Sequence, residues 1–190
     1  MDLFKYKIIL GSASPRRQQL LKDMGLNYTT DAIHADESFP NTLKAEQIAL
    51  YLAEKKAKSY AKSLTTNDLL ITADTIVWIG DTVLNKPASE LEATHMLRLL
   101  SAKTHTVYTG VSLTSANKQI SFYDQTHVRF KELNNEEISF YIKNYKPFDK
   151  AGSYGAQDWL GLIGVTAIEG SYFNVMGLPT HLLYEHLKSF

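Results

Sequence analysis

Three carboxylates and five cations carry the chemistry this sequence can offer. Asp36, Glu37 and Asp74 each fall in a turn or where an apolar strand is interrupted. Arg16, Arg17, Lys56, Lys86 and Lys150 each fall at the edge of an element or on an inward-facing helical position. This mixture suits a polyphosphate with a hard divalent ion. One or two carboxylates suffice to hold Mg²⁺ through oxygen. Guanidinium and ammonium groups offset phosphate charge, and the ion stabilises charge developing on a phosphoryl oxygen. Charges scattered over a solvated surface would satisfy the same composition, and spacing alone does not separate the two.

Other chemistries are excluded more firmly. No glycine-rich loop ends in Gly-Lys-Ser/Thr, and the first strand offers only Gly11, so neither a P-loop nor a dinucleotide fingerprint is present. His34, His95, His105, His127, His181 and His186 show no pair at helical ligand spacing and read as structural or surface residues. No Gly-x-Ser-x-Gly elbow supports a serine hydrolase. With no cysteine, thiolate nucleophiles, disulfides and sulfur-ligated metals are out. A formal net charge of zero argues against a general nucleic-acid or membrane-surface binder. No apolar run approaches bilayer length, and Met1 to Leu10, with Asp2, Lys5 and Lys7, is not expected to act as a signal peptide.

These residues need elements to position them. The chain of 190 residues, 44% hydrophobic and 21% charged, is long enough for a sizeable core. Tyr6 to Leu10 reads as a strand that stops at Gly11; Ser14 suits an N-cap and Pro15 the first turn of a helix to about Met24. Arg16 and Arg17 in that first turn favour an anion at the helix N-terminus, although an ordinary capped turn with solvated arginines fits the same pattern. Leu26 to Ile33 is β-prone only in patches, and His34 to Pro40 reads as a loop. Asn41 or Thr42 is expected to cap a helix to about Ser63, with Ala45, Ala49, Leu52 and Tyr60 on its apolar stripe. Lys56 falls on that stripe, where a lysine either snorkels to the edge or points inward. Asp74-Thr75 interrupts a strong strand, Leu69 to Ile79, so Asp74 must face water, a metal or a cation. Gly80-Asp81 is a turn before Val83-Leu84; Ser89 and Asn134 cap helices to about Leu100 and Tyr145, each with a glutamate three residues on. His105 to Leu113 and Ile120 to Phe130 form a hairpin around Ser115 to Lys118. Ile163 to Ile168 and Tyr172 to Val175 read as strands, and Pro179 starts a final helix. The fold class is α/β with a mixed sheet flanked by helices, expected as two lobes with a central cleft.

Taken in order, several stretches resemble the Maf family of nucleoside triphosphate pyrophosphatases. They are Ser12-Ala-Ser-Pro-Arg-Arg17 with Leu20-Leu21, Leu52-Ala53 with Lys56-Ala57, and Ala73-Asp74-Thr75. Lys86-Pro87, Asp149 to Gln157 and Gly170 to Pro179 complete the set. The resemblance covers essentially the whole chain and implies a single domain over residues 1–190, with an elongated mixed sheet like that of inosine triphosphate pyrophosphatases. It implies cleavage of a nucleoside triphosphate between the α and β phosphates, giving a monophosphate and pyrophosphate.

The same resemblance implies roles for individual residues. Asp74 matches the catalytic proton acceptor, and Glu37 with Asp74 the metal partners. Ser12, Arg17, Lys56 and Lys86 match phosphate-binding positions. Arg16, Thr75 and Gln157 match the three positions that mark the branch acting on UTP, dTTP and some modified pyrimidine nucleotides, as against 7-methyl-GTP. The chain departs from the family pattern at Asp36, where many relatives have glutamate, and at Asp158, where glycine is common and a carboxylate adds charge near the expected base pocket. A divalent cation, Mg²⁺ or Mn²⁺, and a homodimer are also implied, and the absence of cysteine fits a cytoplasmic setting. Two other readings stay open: a non-catalytic nucleotide-binding regulator of septum formation and cell division, and a house-cleaning pyrophosphatase for aberrant purine triphosphates.

Overall fold

The computed structural model describes residues 5–33, 35–61 and 64–190. His34 and the expected helix end at Ser63 lie outside the described residues. Seven strands form one mixed sheet in the order β2-β1-β3-β5-β6-β7, with β4 paired to β3. The strands are β1 (Lys7–Leu10), β2 (Tyr28–Thr30), β3 (Asp68–Ile79), β4 (Thr82–Leu84), β5 (Thr104–Thr114), β6 (Gln119–Phe130) and β7 (Val165–Glu169). The helices are α1 (Pro15–Asp23), α2 (Glu46–Tyr60), α3 (Glu90–Leu100), α4 (Asn135–Tyr145), α5 (Trp159–Gly164), α6 (Tyr172–Val175) and α7 (Thr180–Ser189). Among the described residues no helix is long and apolar enough to cross a membrane. The chain forms two compact units: Met1–Thr75, Thr109–Asp124 and Gly177–Phe190 in the first, Ile76–Tyr108 and Gln125–Met176 in the second.

In the first unit β1 runs parallel to both β2 and β3, with Ile8 opposite Tyr28 and Leu69. Its last pair is Leu10 with Ile71, and the Gly11 N–H continues to the Ile71 carbonyl at 2.8 Å. Strand β3 goes on past that point, so Asp74 and Thr75 stand beyond the carboxyl end of β1, where the chain turns into α1. Carboxyl ends of parallel strands are where open α/β sheets place their ligands. Ser14 caps α1, its hydroxyl accepting from the Arg17 N–H, and Pro15 occupies the first turn. Helix α2 buries Ile48, Ala49, Leu52, Ala53, Lys56 and Ala57. A Cβ at Gly110 would collide with the Ala49 backbone, so glycine there lets β5 and α2 approach closely. The Thr72 hydroxyl donates to the Ala53 carbonyl at 2.8 Å.

In the second unit α3 and α4 pack their apolar stripes around Leu97, Leu100, Phe130, Tyr141 and Leu160. Ser89 caps α3 by accepting from the Glu92 N–H, and Asn134 with Glu137 forms the full reciprocal capping box on α4. Strands β3 and β4 pair antiparallel across the Gly80-Asp81 turn, with Val77 opposite Leu84.

Four expectations are corrected. Helix α2 starts at Glu46 rather than at Asn41 or Thr42, because Ala45 takes φ 46° and no side chain caps it. Tyr28–Thr30 is a strand, since parallel pairing with β1 supplies the hydrogen bonds that local propensity did not signal. Ile163 and Gly164 end α5, and only Val165 onward is strand. Tyr172–Val175 is a helical turn capped by the Ser171 hydroxyl, which accepts from the Asn174 N–H at 3.3 Å. Short apolar runs carry no period long enough to separate the two states.

His105 is buried, its Nε2 2.7 Å from the Tyr154 hydroxyl, and burial pushes its pKa down to about 4. The unfolded chain takes up that proton near 6.5. This ring therefore costs the folded state nothing above about pH 6.5 and progressively destabilises it as pH falls from there to about 4. An NMR titration should find the His105 ring neutral at about pH 5; protonation near pH 6 would contradict the buried, uncharged assignment.

Candidate active site

A strand places residues i and i+2 on one face, and a helix places i and i+3 together. Thr72 and Asp74 therefore share a face of β3, and Ala53 and Lys56 share a face of α2. The Thr72 to Ala53 bond sets those two faces together, and the Lys56 ammonium meets the Asp74 carboxylate in a direct ion pair. Lys56 and Asp74 are only 9% and 8% exposed, so the lysine points inward rather than snorkelling. Glu37 reaches the same ammonium from the 35–40 loop at 3.2 Å.

The two neighbouring acids of that loop divide between two neighbouring lysines. Asp36 pairs with Lys55 at 2.9 Å and with the Ser38 hydroxyl and backbone N–H, and these bonds, the Ser38 hydroxyl foremost, hold its carboxyl down to about 2. Asp36 thus fastens the loop, which leaves Glu37 as the acid that faces Asp74. That both carboxylates converge on one ammonium shows that a single cation can be shared between them. Among the described residues no group of three or more His, Asp or Glu side chains is arranged to hold a metal. A divalent ion held by Glu37 and Asp74 would complete its shell with phosphate oxygens and water, the habit of Mg²⁺. The donor set fits such an ion.

Arg17 is the second centre of the first unit. Its Nε–H donates to the Gly177 carbonyl at 2.8 Å, Nη1 to the Ser12 hydroxyl at 3.3 Å and Nη2 to the Thr75 hydroxyl at 3.1 Å. Burial pulls its pKa below the ordinary value; Asp74 and Glu37 oppose that shift, and neighbouring Arg16 adds to it. Asp74 and Glu37 are therefore close enough for Arg17 to feel their charge. A guanidinium has five N–H donors, so these three bonds orient the group and leave donors for an anion. Ser12 accepts from both the Ser14 N–H, at 3.2 Å, and Arg17, so its remaining capacity is its own O–H.

Thr75 pairs through its hydroxyl with Thr109 at 2.9 Å as well as with Arg17. Its most direct role is to hold Arg17. Thr109 and the Gly177 carbonyl were not singled out by sequence. Gly177 lies inside a stretch that was noted, but Thr109 looks like any residue of an alternating strand.

The first unit thus brings together Ser12, Arg16, Arg17, Glu37, Lys56, Asp74 and Thr75. Lys86 and Gln157 belong to the second unit. Lys86 is exposed just after β4. Gln157 sits in the loop before α5, and its side-chain Oε1 is buried with no hydrogen-bond partner among the described residues. Lys150 pairs with Asp149 at 2.8 Å and lies 3.5 Å from Asp158, so it is committed within its own loop. The described histidines serve elsewhere: His95 is exposed, His127 pairs with Thr106, His181 lies 4.0 Å from Asp124 and His186 stacks on Phe122.

A family model described as Maf-like protein matches residues 7–190. The chain belongs to the Maf-like family. A relative from Phocaeicola vulgatus, named dTTP/UTP pyrophosphatase, is 54% identical over 188 residues, covering 98% of this chain and 97% of its own. Another of that name, from Parabacteroides distasonis, is 47% identical over 190 residues, covering 100% of this chain and 98% of its own. The Ham1 protein of Staphylococcus aureus is a solved structure with 15% identity and a TM-score of 0.42. It covers 65% of this chain and 71% of its own, a likeness too low to carry an argument.

Removing Lys56 leaves a buried carboxylate without its cation, which costs more than the ion pair itself contributes. Lys56→Met should lower stability by roughly 3 kcal/mol in urea unfolding, and adding Asp74→Leu should restore much of that loss. Lys56→Met unfolding at the wild-type midpoint would refute the coupling.

Proposed function

We propose that this Maf-like protein is a metal-dependent nucleoside triphosphate pyrophosphatase acting on dTTP and UTP. Modified pyrimidine nucleotides fall within its reach, and the products are the monophosphate and pyrophosphate. The observation that carries the reading is the Lys56–Asp74–Glu37 cluster. It is a shared-cation site of two carboxylates, within electrostatic reach of an oriented arginine in the same unit. The names of the relatives support the same activity and the same pair of nucleotides.

Ser12, Arg17 and Lys56 bind phosphate oxygens, with Ser12 donating its one O–H and Arg17 the donors left over from its three internal bonds. Glu37 and Asp74 hold a divalent cation, Mg²⁺ or Mn²⁺, which supplies Lewis-acid stabilisation of the phosphoryl oxygens when bound. Asp74 accepts the proton of the attacking water. The water oxygen bonds to phosphorus as the bond to the α,β-bridging oxygen breaks, and pyrophosphate is released. Lys56 keeps the Asp74 carboxylate oriented. Lys86 adds a phosphate contact. Arg16 and Gln157 set base preference, the Gln157 amide offering both a donor and an acceptor to a pyrimidine edge. Thr75 contributes through Arg17. Residues 1–190 act as a single functional domain, in the cytoplasm and as a homodimer.

Asp74→Asn keeps the shape of the side chain but removes the base, so kcat should fall by a factor on the order of 10² to 10⁴ while nucleotide binding persists. Normal turnover of dTTP by that variant would defeat the assignment. Pyrophosphate release should be measured across canonical and modified nucleoside triphosphates with Mg²⁺, Mn²⁺ or neither. It should peak at dTTP and UTP and require the ion. A purine optimum would assign the protein to aberrant purine triphosphates, and silence across the panel would favour a nucleotide-binding regulator. Gln157→Ala should narrow the gap between UTP and GTP in kcat/KM by about tenfold, the worth of one or two lost hydrogen bonds.

A further inference from the structure

The loop that carries Gln157 is held by a device that the reaction itself does not require. Gly155 to Asp158 form a tight turn, closed by the Asp158 N–H donating to the Gly155 carbonyl at 3.1 Å, with Gln157 in its third position. The hydroxyl of Tyr141, on α4, bridges both ends of that turn. It accepts from the Gly155 N–H at 3.1 Å and donates to Asp158 Oδ2 at 2.8 Å. Tyr141 is fully buried and anchored in the apolar core of the second unit, so the bridge rests on a rigid support.

Three further observations show that the turn is built around this bridge. A Cβ at Gly155 would come within 2.6 Å of Asp158 Oδ2, so glycine makes the room the carboxylate occupies. Asp158 stands at the N-cap of α5, yet its side chain makes no capping bond. The carboxylate is committed to Tyr141 instead, with Lys150 at 3.5 Å to offset its charge. Desolvation, and then the Asp158 charge, push the Tyr141 hydroxyl well above the ordinary tyrosine range, so it remains a donor at any physiological pH. Between these ends the Gln157 Oε1 is buried and has no hydrogen-bond partner among the described residues.

We infer that Tyr141 and Asp158 are positioning residues for base selection: their bridge across the 155–158 turn holds the Gln157 amide at a fixed place to read a pyrimidine edge. The inference rests on the reading that Gln157 meets the base. It also gives Asp158 a second role beside the charge it adds near the base, since that carboxylate accepts from Tyr141 and lies 3.5 Å from Lys150.

The test compares Tyr141→Phe, Asp158→Ala and Asp158→Asn with the wild type, all as full chains. Hydrogen exchange over residues 150–158 reads the bridge. Calorimetric affinities for UMP and GMP read base selection without turnover. In Tyr141→Phe the 155–158 amides should exchange faster, UMP affinity should drop about tenfold and GMP affinity should stay level. Asp158→Ala should behave like Tyr141→Phe. Asp158→Asn keeps an acceptor for the Tyr141 hydroxyl and should retain the wild-type UMP preference. With dTTP as substrate, KM should rise in Tyr141→Phe more than kcat falls. Faster exchange with an unchanged UMP-to-GMP ratio would make the bridge purely structural and overturn the inference, as would a wild type with no UMP preference. If Tyr141→Phe does not fold, the contrast between Asp158→Ala and Asp158→Asn decides alone. Absence of pyrophosphate release by the wild type would instead defeat the pyrophosphatase reading, which the affinity ratio does not measure.

Discussion

A lysine buried against an aspartate is the constraint on which the first unit depends. Neither charge tolerates desolvation by itself, so each requires the other within contact distance. Meeting that requirement fixes how far α2 may stand from β3. The helix comes close enough because Gly110 has no side chain to obstruct the Ala49 backbone and because Thr72 gives the Ala53 carbonyl a partner. Packing and electrostatics therefore specify the same arrangement. The helix register that buries Leu52 and Ala53 is the register that delivers Lys56 to Asp74.

Around that pair the functional groups are held by bonds that use only part of their capacity. Arg17 spends three donors on Gly177, Thr75 and Ser12 and retains others. Ser12 accepts twice and retains its proton. Glu37 shares the Lys56 ammonium while its neighbour Asp36 fastens the loop through Lys55 and Ser38. Each arrangement is preorganised: orientation is settled before a substrate arrives, so binding energy is not consumed in ordering the side chains. In the second unit the Tyr141 hydroxyl likewise ties the two ends of the 155–158 turn, through the Gly155 N–H and the Asp158 carboxylate.

Much of this was legible along the chain. Ser14 and Pro15 announced α1, Ser89 with Glu92 and Asn134 with Glu137 announced α3 and α4, and all three N-caps form, because capping is decided by residues within one helical turn; the reciprocal box closes only on α4, since the Glu92 side chain accepts from the Ala88 N–H instead. The importance of Asp74 was visible because an acid inside an apolar strand must have a partner. Strand β2, the start of α2 and the helical turn at Tyr172–Val175 were misread. Strand β2 depends on pairing with β1, which its own three residues do not reveal, α2 begins without a side-chain cap to mark it, and Tyr172–Val175 is too short to show a period.

The sequence by itself determined which groups could do chemistry, the sign of their charge and the local elements that carry them, since composition, capping and periodicity act over a few residues. Only the tertiary structure decided which of those groups meet. It turned Lys56 inward, gave Glu37 and not Asp36 to the Lys56 ammonium, made Thr75 and Thr109 the support of Arg17, and set Asp158 against Tyr141 and Lys150. The physical reason is that desolvation and hydrogen-bond satisfaction are properties of neighbours in space, and residues 37, 56 and 74, or 141, 155 and 158, become neighbours only when the chain folds.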